Sequence, residues 1–253
     1  MRSFVDLSAP LEPSAPEVPA ELRVEVTYWS HDEGAALIES SFGVPRELLR
    51  DGEGWASERV ALVTHSTTHV DAPYHYNSTI AGQPAQTIDQ LPLEWFFGPG
   101  VVVDFHERGD GERISAPDMR NALAHAEHEL APGDIVLVRT DCDRFYGQAD
   151  YPMHGPGVSA EATRWLFDQG VRVMGIDAWG WDRPLSIQAA EARARGETGI
   201  FWEAHQCDLP YSQIERLANL AALPNHGFEV ACFPLRIIGG SAAPARVVAI
   251  LPG

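Results

Sequence analysis

The stretch Gly98-Pro-Gly-Val-Val-Val-Asp-Phe105 is an apolar run behind a Gly-Pro-Gly turn. It is too short for a helix and lacks the alternation of a half-exposed strand, so it reads as a strand buried on both faces. The residues downstream alternate between two periods. SAPDMRNALAHAEHEL (115–130) opens on Ser115 as N-cap and repeats apolar residues at helical spacing through Met119, Leu123 and Leu130. APGDIVLVRTD (131–141) is a turn and a strand. SAEATRWLFDQ (159–169) is a second capped helix closed by Gly170, and VRVMGIDAW is another buried strand. This strand–helix–strand order predicts an α/β protein with parallel pairing. A further helix is expected over 186–196, and one over 31–50.

The two ends read as more purely β. Residues 57–71, SERVALVTHSTTHVD, are rich in β-branched side chains and predict a strand or hairpin that Ala72-Pro73 terminates. EVACFPLRI and ARVVAILP close the chain as strands. Pro10, Pro13, Pro16 and Pro19 make residues 1–22 an extended arm, within which FVDLS can pair as a short strand. Residues 23–253 read as one domain, with no repeat and no linker.

The formal net charge is −18, and every basic residue is Arg. A nucleic-acid-binding surface needs a basic face, which this chain lacks, and no basic cluster is present to hold an anionic membrane. The absence of Lys removes Schiff-base and P-loop chemistry. Cys142, Cys207 and Cys232 are odd in number and widely spaced, so they form neither a disulfide framework nor a CxxC site. The N-terminal residues carry no secretory h-region, and a cytoplasmic protein is expected.

Chemistry concentrates in His65-Ser-Thr-Thr-His69-Val-Asp71-Ala-Pro-Tyr-His75. Residues 65, 69 and 71 share parity, so one extended strand would aim all three at one face. Two imidazoles and a carboxylate are an N/O donor set for a divalent metal, with positions left open for chemistry. His75 shares the parity but follows Pro73, and it need not be a ligand. Ser66 and Ser159 lie in no GxSxG elbow, which leaves serine-hydrolase chemistry without support. Trp179 and Trp181 straddle Gly180 just after a buried strand, where α/β proteins place ligands.

The same segment resembles the HxGTHxDxPxH motif of the cyclase family of metal-dependent hydrolases. QLPLEWFFGPGVVVDF, GVRVMGIDAWGWD, GIFWEAH, IERLANLAALP and VACFPLRI also read like family blocks, in the family's order. The resemblance implies a swivelling β/β/α-type fold. It implies that His65, His69 and Asp71 bind a metal and that His75 transfers protons. It also implies that His205 and Glu215 help to hold a second ion or to act on substrate. Three departures stand out. Thr67 replaces the family's Gly and places a side chain at the substrate edge. Two residues fewer separate His205 from Glu215. Gln213 stands where relatives carry a His.

The expected cofactor is one or two divalent ions per chain, Zn or Mn. The expected activity is hydrolysis of an amide, imide or lactone in a small cyclic or aromatic substrate. Two other readings stay open. One is a metal-dependent ring closure of the aromatic-polyketide kind. The other is a non-catalytic metal-binding module. The partner is a small molecule, with no nucleic acid and no membrane, and the arm and the family habit favour a homodimer or homotetramer.

Overall fold

A computed structural model describes residues 1–16, 18, 20 and 23–253. The chain divides into two compact units, Met1–Pro10 with Thr64–Gly253, and Leu11–Val63. The expected arm therefore divides at Pro10. Its first residues join the large unit because FVD carries strand-forming side chains ahead of the first proline. Glu17, Pro19, Glu21 and Leu22, at the end of that arm, lie outside the described residues.

The large unit is built on a nine-stranded mixed sheet. In chain order its strands are β1 (Ser3–Asp6), β2 (His69–Asp71), β3 (Phe97–Asp104), β4 (Ile135–Arg139), β5 (Val173–Ile176), β6 (Ser212–Glu215), β7 (Phe228–Ala231), β8 (Ala242–Pro244) and β9 (Val248–Leu251). Their spatial order is β1-β9-β7-β3-β4-β5-β6-β2-β8. The central four, β3 to β6, pair in parallel. Every pairing outside them is antiparallel.

The apolar runs of β3, β4 and β5 explain the layering. Val101, Val103, Val136, Val138, Met174 and Ile176 face one core, while Val102, Ile135, Leu137 and Val173 face the other. Helices α3 (Ala116–His125) and α4 (Ala160–Asp168) connect β3 to β4 and β4 to β5. They cover the first face with Met119, Leu123, Ala162 and Leu166. Both start on the expected serine caps: Ser115 accepts from the Asp118 N–H and Ser159 from the Ala162 N–H. α2 (Pro73–Tyr76) and α5 (Leu185–Arg195) complete the unit's α-helices.

The unit Leu11–Val63 pairs Glu25–Trp29 with Ser57–Ala61 as an antiparallel hairpin beside α1 (His31–Phe42). Ser30 and Glu33 cap α1 reciprocally. Gly43, in the left-handed region at φ +66°, stops the helix short of the expected residue 50. The strand expected over 57–71 is two strands. Residues 57–61 belong to this hairpin, 69–71 form β2 of the large sheet, and a turn separates them.

Candidate metal centre

β2 supplies the centre because it lies between β6 and β8. The β6 pairing sets Glu215 opposite His69, and residues opposite one another share a face. Asp71, two residues along, lies on that face too. Val70 turns the other way into the core. His69 and Asp71 are completely buried. His75 reaches the same place from α2, which Pro73 starts at its first position.

His65 arrives differently. It stands in the turn before β2, and Thr67 within that turn has φ +52°, in the left-handed region that a β-branched residue rarely enters. The single-strand parity expected for His65, His69 and Asp71 is thus corrected: the chain folds back at Thr67. The Thr67 hydroxyl donates to the Ala9 carbonyl at 3.1 Å, and the Thr67 carbonyl accepts from His69 Nδ1 at 2.9 Å. Its side chain is engaged with the N-terminal segment.

The groups converge on Asp71. His65 Nδ1 lies 2.9 Å and His69 Nε2 3.3 Å from Asp71 Oδ1. His75 Nε2 and His205 Nε2 each lie 3.9 Å from Asp71 Oδ2. Glu215 Oε2 is 3.6 Å from His69 Nε2, and its Oε1 is 3.5 Å from His205 Nε2. Two trios, His65–Asp71–His75 and His69–Asp71–Glu215, bring donor atoms within 4.8 Å of one another. His205 and Glu215 thus meet the first cluster despite their shortened spacing. Gln213 is buried two residues before Glu215 on the same strand, with its amide nitrogen directed to the Tyr211 hydroxyl.

Outer partners orient three of the four rings. His65 Nε2 pairs with Ser241 Oγ at 3.1 Å, His69 Nδ1 with the Thr67 carbonyl, and His205 Nδ1 with Asp182 Oδ2 at 2.5 Å. In each, the opposite nitrogen faces the carboxylates. Among the described residues no such partner holds the His75 ring, which packs against His65 with centroids 3.9 Å apart.

Charge is tightly confined here. Burial would raise the Asp71 carboxyl, but His69, His65 and His75 hold it well below the usual carboxylate range. Burial and Asp71 push Glu215 up, and His205 and His69 outweigh them. Burial opposes charge on His205, yet the Asp182 and Glu215 carboxylates raise it to about 10. Burial lowers His75 to about 4; Asp71 opposes this, and His65 and His205 reinforce it. His69 Nε2 and both Asp71 oxygens are nonetheless buried without a hydrogen bond. Atoms buried this way cost several kcal/mol unless a cation satisfies them, on the order of 1–3 kcal/mol per group. The donor set and the orphaned atoms together fit a divalent ion.

The aromatic expectations need correction. Trp181 is wholly buried, and its indole N–H donates to Thr163 Oγ1 at 2.9 Å. Its contribution to the centre is its backbone N–H, which donates to Glu215 Oε1 at 2.9 Å. Trp179 lies under the Arg216 guanidinium, 4.9 Å from its ring centre. The aromatic ring packed against the cluster is Trp202, which sequence reasoning missed. Its ring stacks on His205 at 4.5 Å and meets His75 edge-on at 5.0 Å. Trp202 sits at φ +62°, fixed by its N–H to Gln188 Oε1 at 2.7 Å. Only its place three residues before His205 could have signalled it.

The fold and cluster define an α/β protein with a candidate cation centre near one end of its sheet. A family model described as "Putative cyclase" matches residues 5–183, so the chain belongs to the cyclase family. That match contains His65, His69, Asp71, His75 and Asp182, while His205 and Glu215 follow it. The chain is similar to kynurenine formamidase of Salinibacter ruber, 29% identical over 97% of this chain and 96% of the relative. It is also similar to isatin hydrolase of Roseibium aggregatum, 26% identical over 81% and 79%. The solved structure of an isatin hydrolase bound to the product analogue thioisatinate superposes with a TM-score of 0.76 at 24% identity, covering 100% of this chain and 93% of that one.

Proposed function

We propose that this protein is a metal-dependent hydrolase that cleaves an amide, imide or lactone bond in a small cyclic or aromatic substrate. The observation that carries the reading is the set of buried, unpaired atoms on His69 and Asp71, surrounded by imidazoles whose outer nitrogens are already engaged. Relatives named for hydrolysis of a formamide and of isatin support the bond class.

His65, His69 and Asp71 would hold a first ion, and His205 and Glu215 would help to hold a second. The mixed imidazole–carboxylate donors suit Zn or Mn. A divalent cation there supplies Lewis acidity, which acidifies water to a pKa of about 7 and polarises a substrate carbonyl. His75 is neutral at pH 7 and unanchored, so it starts as the base. It takes a proton from the attacking water as the new C–O bond forms. It returns that proton to the leaving nitrogen or oxygen as the old bond breaks. Trp202 shields His75 and His205 from bulk water on one side and offers a flat ring a stacking face.

A homodimer or homotetramer in the cytoplasm accompanies this reading, supported by Tyr28, Phe42 and Leu48 lying exposed in the smaller unit. Light scattering behind gel filtration tests the assembly. No helix among the described residues is long and apolar enough to cross a membrane.

The test of function combines elemental analysis with turnover. Metal-stripped and reloaded protein is assayed against cyclic amides, imides, lactones and a polyketide-like ketone. Metal-dependent ring opening is expected. A folded protein that binds no divalent ion, or one that only closes rings, overturns the reading.

A further inference from the structure

Asp182 takes no part in the reaction just described. It lies six-hundredths exposed at the end of the Trp179–Arg183 turn, and three donors converge on its carboxylate. Oδ1 accepts from the Ala204 N–H at 3.0 Å. Oδ2 accepts from the His205 N–H at 3.1 Å and stands 2.5 Å from His205 Nδ1. The carboxylate thus grips both the backbone and the ring of one residue. The neighbouring Arg183 is directed elsewhere, to Glu191 at 2.7 Å.

We infer that Asp182 is the positioning residue that makes His205 a metal ligand through Nε2. This inference rests on the proposed metal-dependent reading. A carboxylate only accepts, so Nδ1 carries a proton that Asp182 holds, and a cation that displaces the proton from Nε2 would meet that nitrogen's lone pair. Nε2 is also the atom 3.5 Å from Glu215 Oε1 and 3.9 Å from Asp71 Oδ2. Trp202 stacked on the ring blocks rotation out of that plane. The backbone bonds to Ala204 and His205 fix the loop that follows the Trp202 turn, so ring and chain are set together. Outer carboxylates of this kind raise the ligand basicity of an imidazole, and losing one costs roughly 10–100-fold in metal affinity. His65 and His69 lean on a hydroxyl and a carbonyl instead. The site at His205 is therefore the one that depends on a charged support.

The experiment is a cobalt(II) titration of the metal-stripped full chain, read by its visible spectrum and by chelator competition. Wild-type protein should take up two ions. Asp182→Asn presents an amide N–H to Nδ1 and should weaken the second ion by 10–100-fold while the first stays within about twofold. Asp182→Glu, which keeps the charge, should recover part of the loss. Equal affinities and spectra in a folded Asp182→Asn overturn the inference while leaving metal dependence intact. Failure of wild-type protein to bind cobalt at all sinks both. Should the variants not fold, nitrogen-15 correlation spectra of the histidines in zinc-loaded wild-type protein decide. Protonated Nδ1 with zinc-shifted Nε2 on His205 supports the inference, and the opposite tautomer overturns it.

Discussion

The centre is assembled from two segments that solve the same problem in opposite ways. Residues 65–75 deliver His65, His69, Asp71 and His75 from eleven consecutive positions and hold them with neutral partners: a hydroxyl, a carbonyl and a strained turn. Residues 202–215 deliver His205 and Glu215 from a loop and a separate strand, and hold them with a buried carboxylate and a backbone N–H. Local spacing does the work in the first segment. In the second, tertiary structure does it. A buried acid beside each of two imidazoles is affordable only when a cation offsets it.

Removing the shared member should have the largest effect. Asp71→Ala leaves both segments without their common acid. Bound metal should fall below one equivalent by elemental analysis, and turnover should fall on the order of 10³-fold. His75→Ala separates chemistry from binding. Metal content should match the parent, and kcat should drop by about 10²-fold in steady-state assays. Retained turnover would remove His75 from the mechanism.

The two segments should also show opposite pH slopes in the metal-stripped protein. His75 has a folded pKa of about 4, below its ordinary 6.5. Its contribution is present above pH 6.5 and is lost as pH falls toward 4. His205 is raised to about 10, so its contribution is present below pH 6.5 and is lost as pH rises toward 10. Urea melts across pH 4–10 should show stability lost at both ends. His75→Ala should flatten the acid limb and His205→Gln the alkaline one. Metal should remove most of the alkaline slope, since a cation on Nε2 replaces the proton.

The smallest effect tests the turn of the first segment. Thr67→Val keeps a β-branched residue at φ +52° and deletes the hydroxyl that Ala9 accepts. It should destabilise by about 1–2 kcal/mol in thermal melts. Thr67→Gly loses the same bond but relieves the strain, and it should stay within about 1 kcal/mol of the parent.

The same contrast explains what the sequence revealed. The parallel block was legible because β3, β4 and β5 are unbroken apolar runs between capped helices, and no other packing buries both faces. The 65–75 donors were legible because they are dense. Parity grouped residues that the structure does bring together, but for a partly wrong reason, since Thr67 breaks the strand and His65 comes from a turn. Trp181 misled because its position after β5 is the usual ligand-facing end, yet its indole turns into the core toward Thr163. Trp202 and Asp182 were illegible for a common reason. Each is fixed by a partner more than a dozen residues away, Trp202 through its N–H to Gln188 and Asp182 through His205, and sequence spacing does not display such pairs. Within the arm the FVD strand joins the large unit through its pairing with β9, a long-range contact that proline content does not display.

The place of β2 in the sheet bears on how the protein is made. His69–Asp71 emerges early in synthesis, but both of its neighbours, β6 at 212–215 and β8 at 242–244, are among the last strands translated. A nascent chain therefore carries its histidine-rich segment through more than half of elongation with neither neighbouring strand to pair against. The full donor set, Glu215 included, comes together only once the C-terminal strands have left the ribosome.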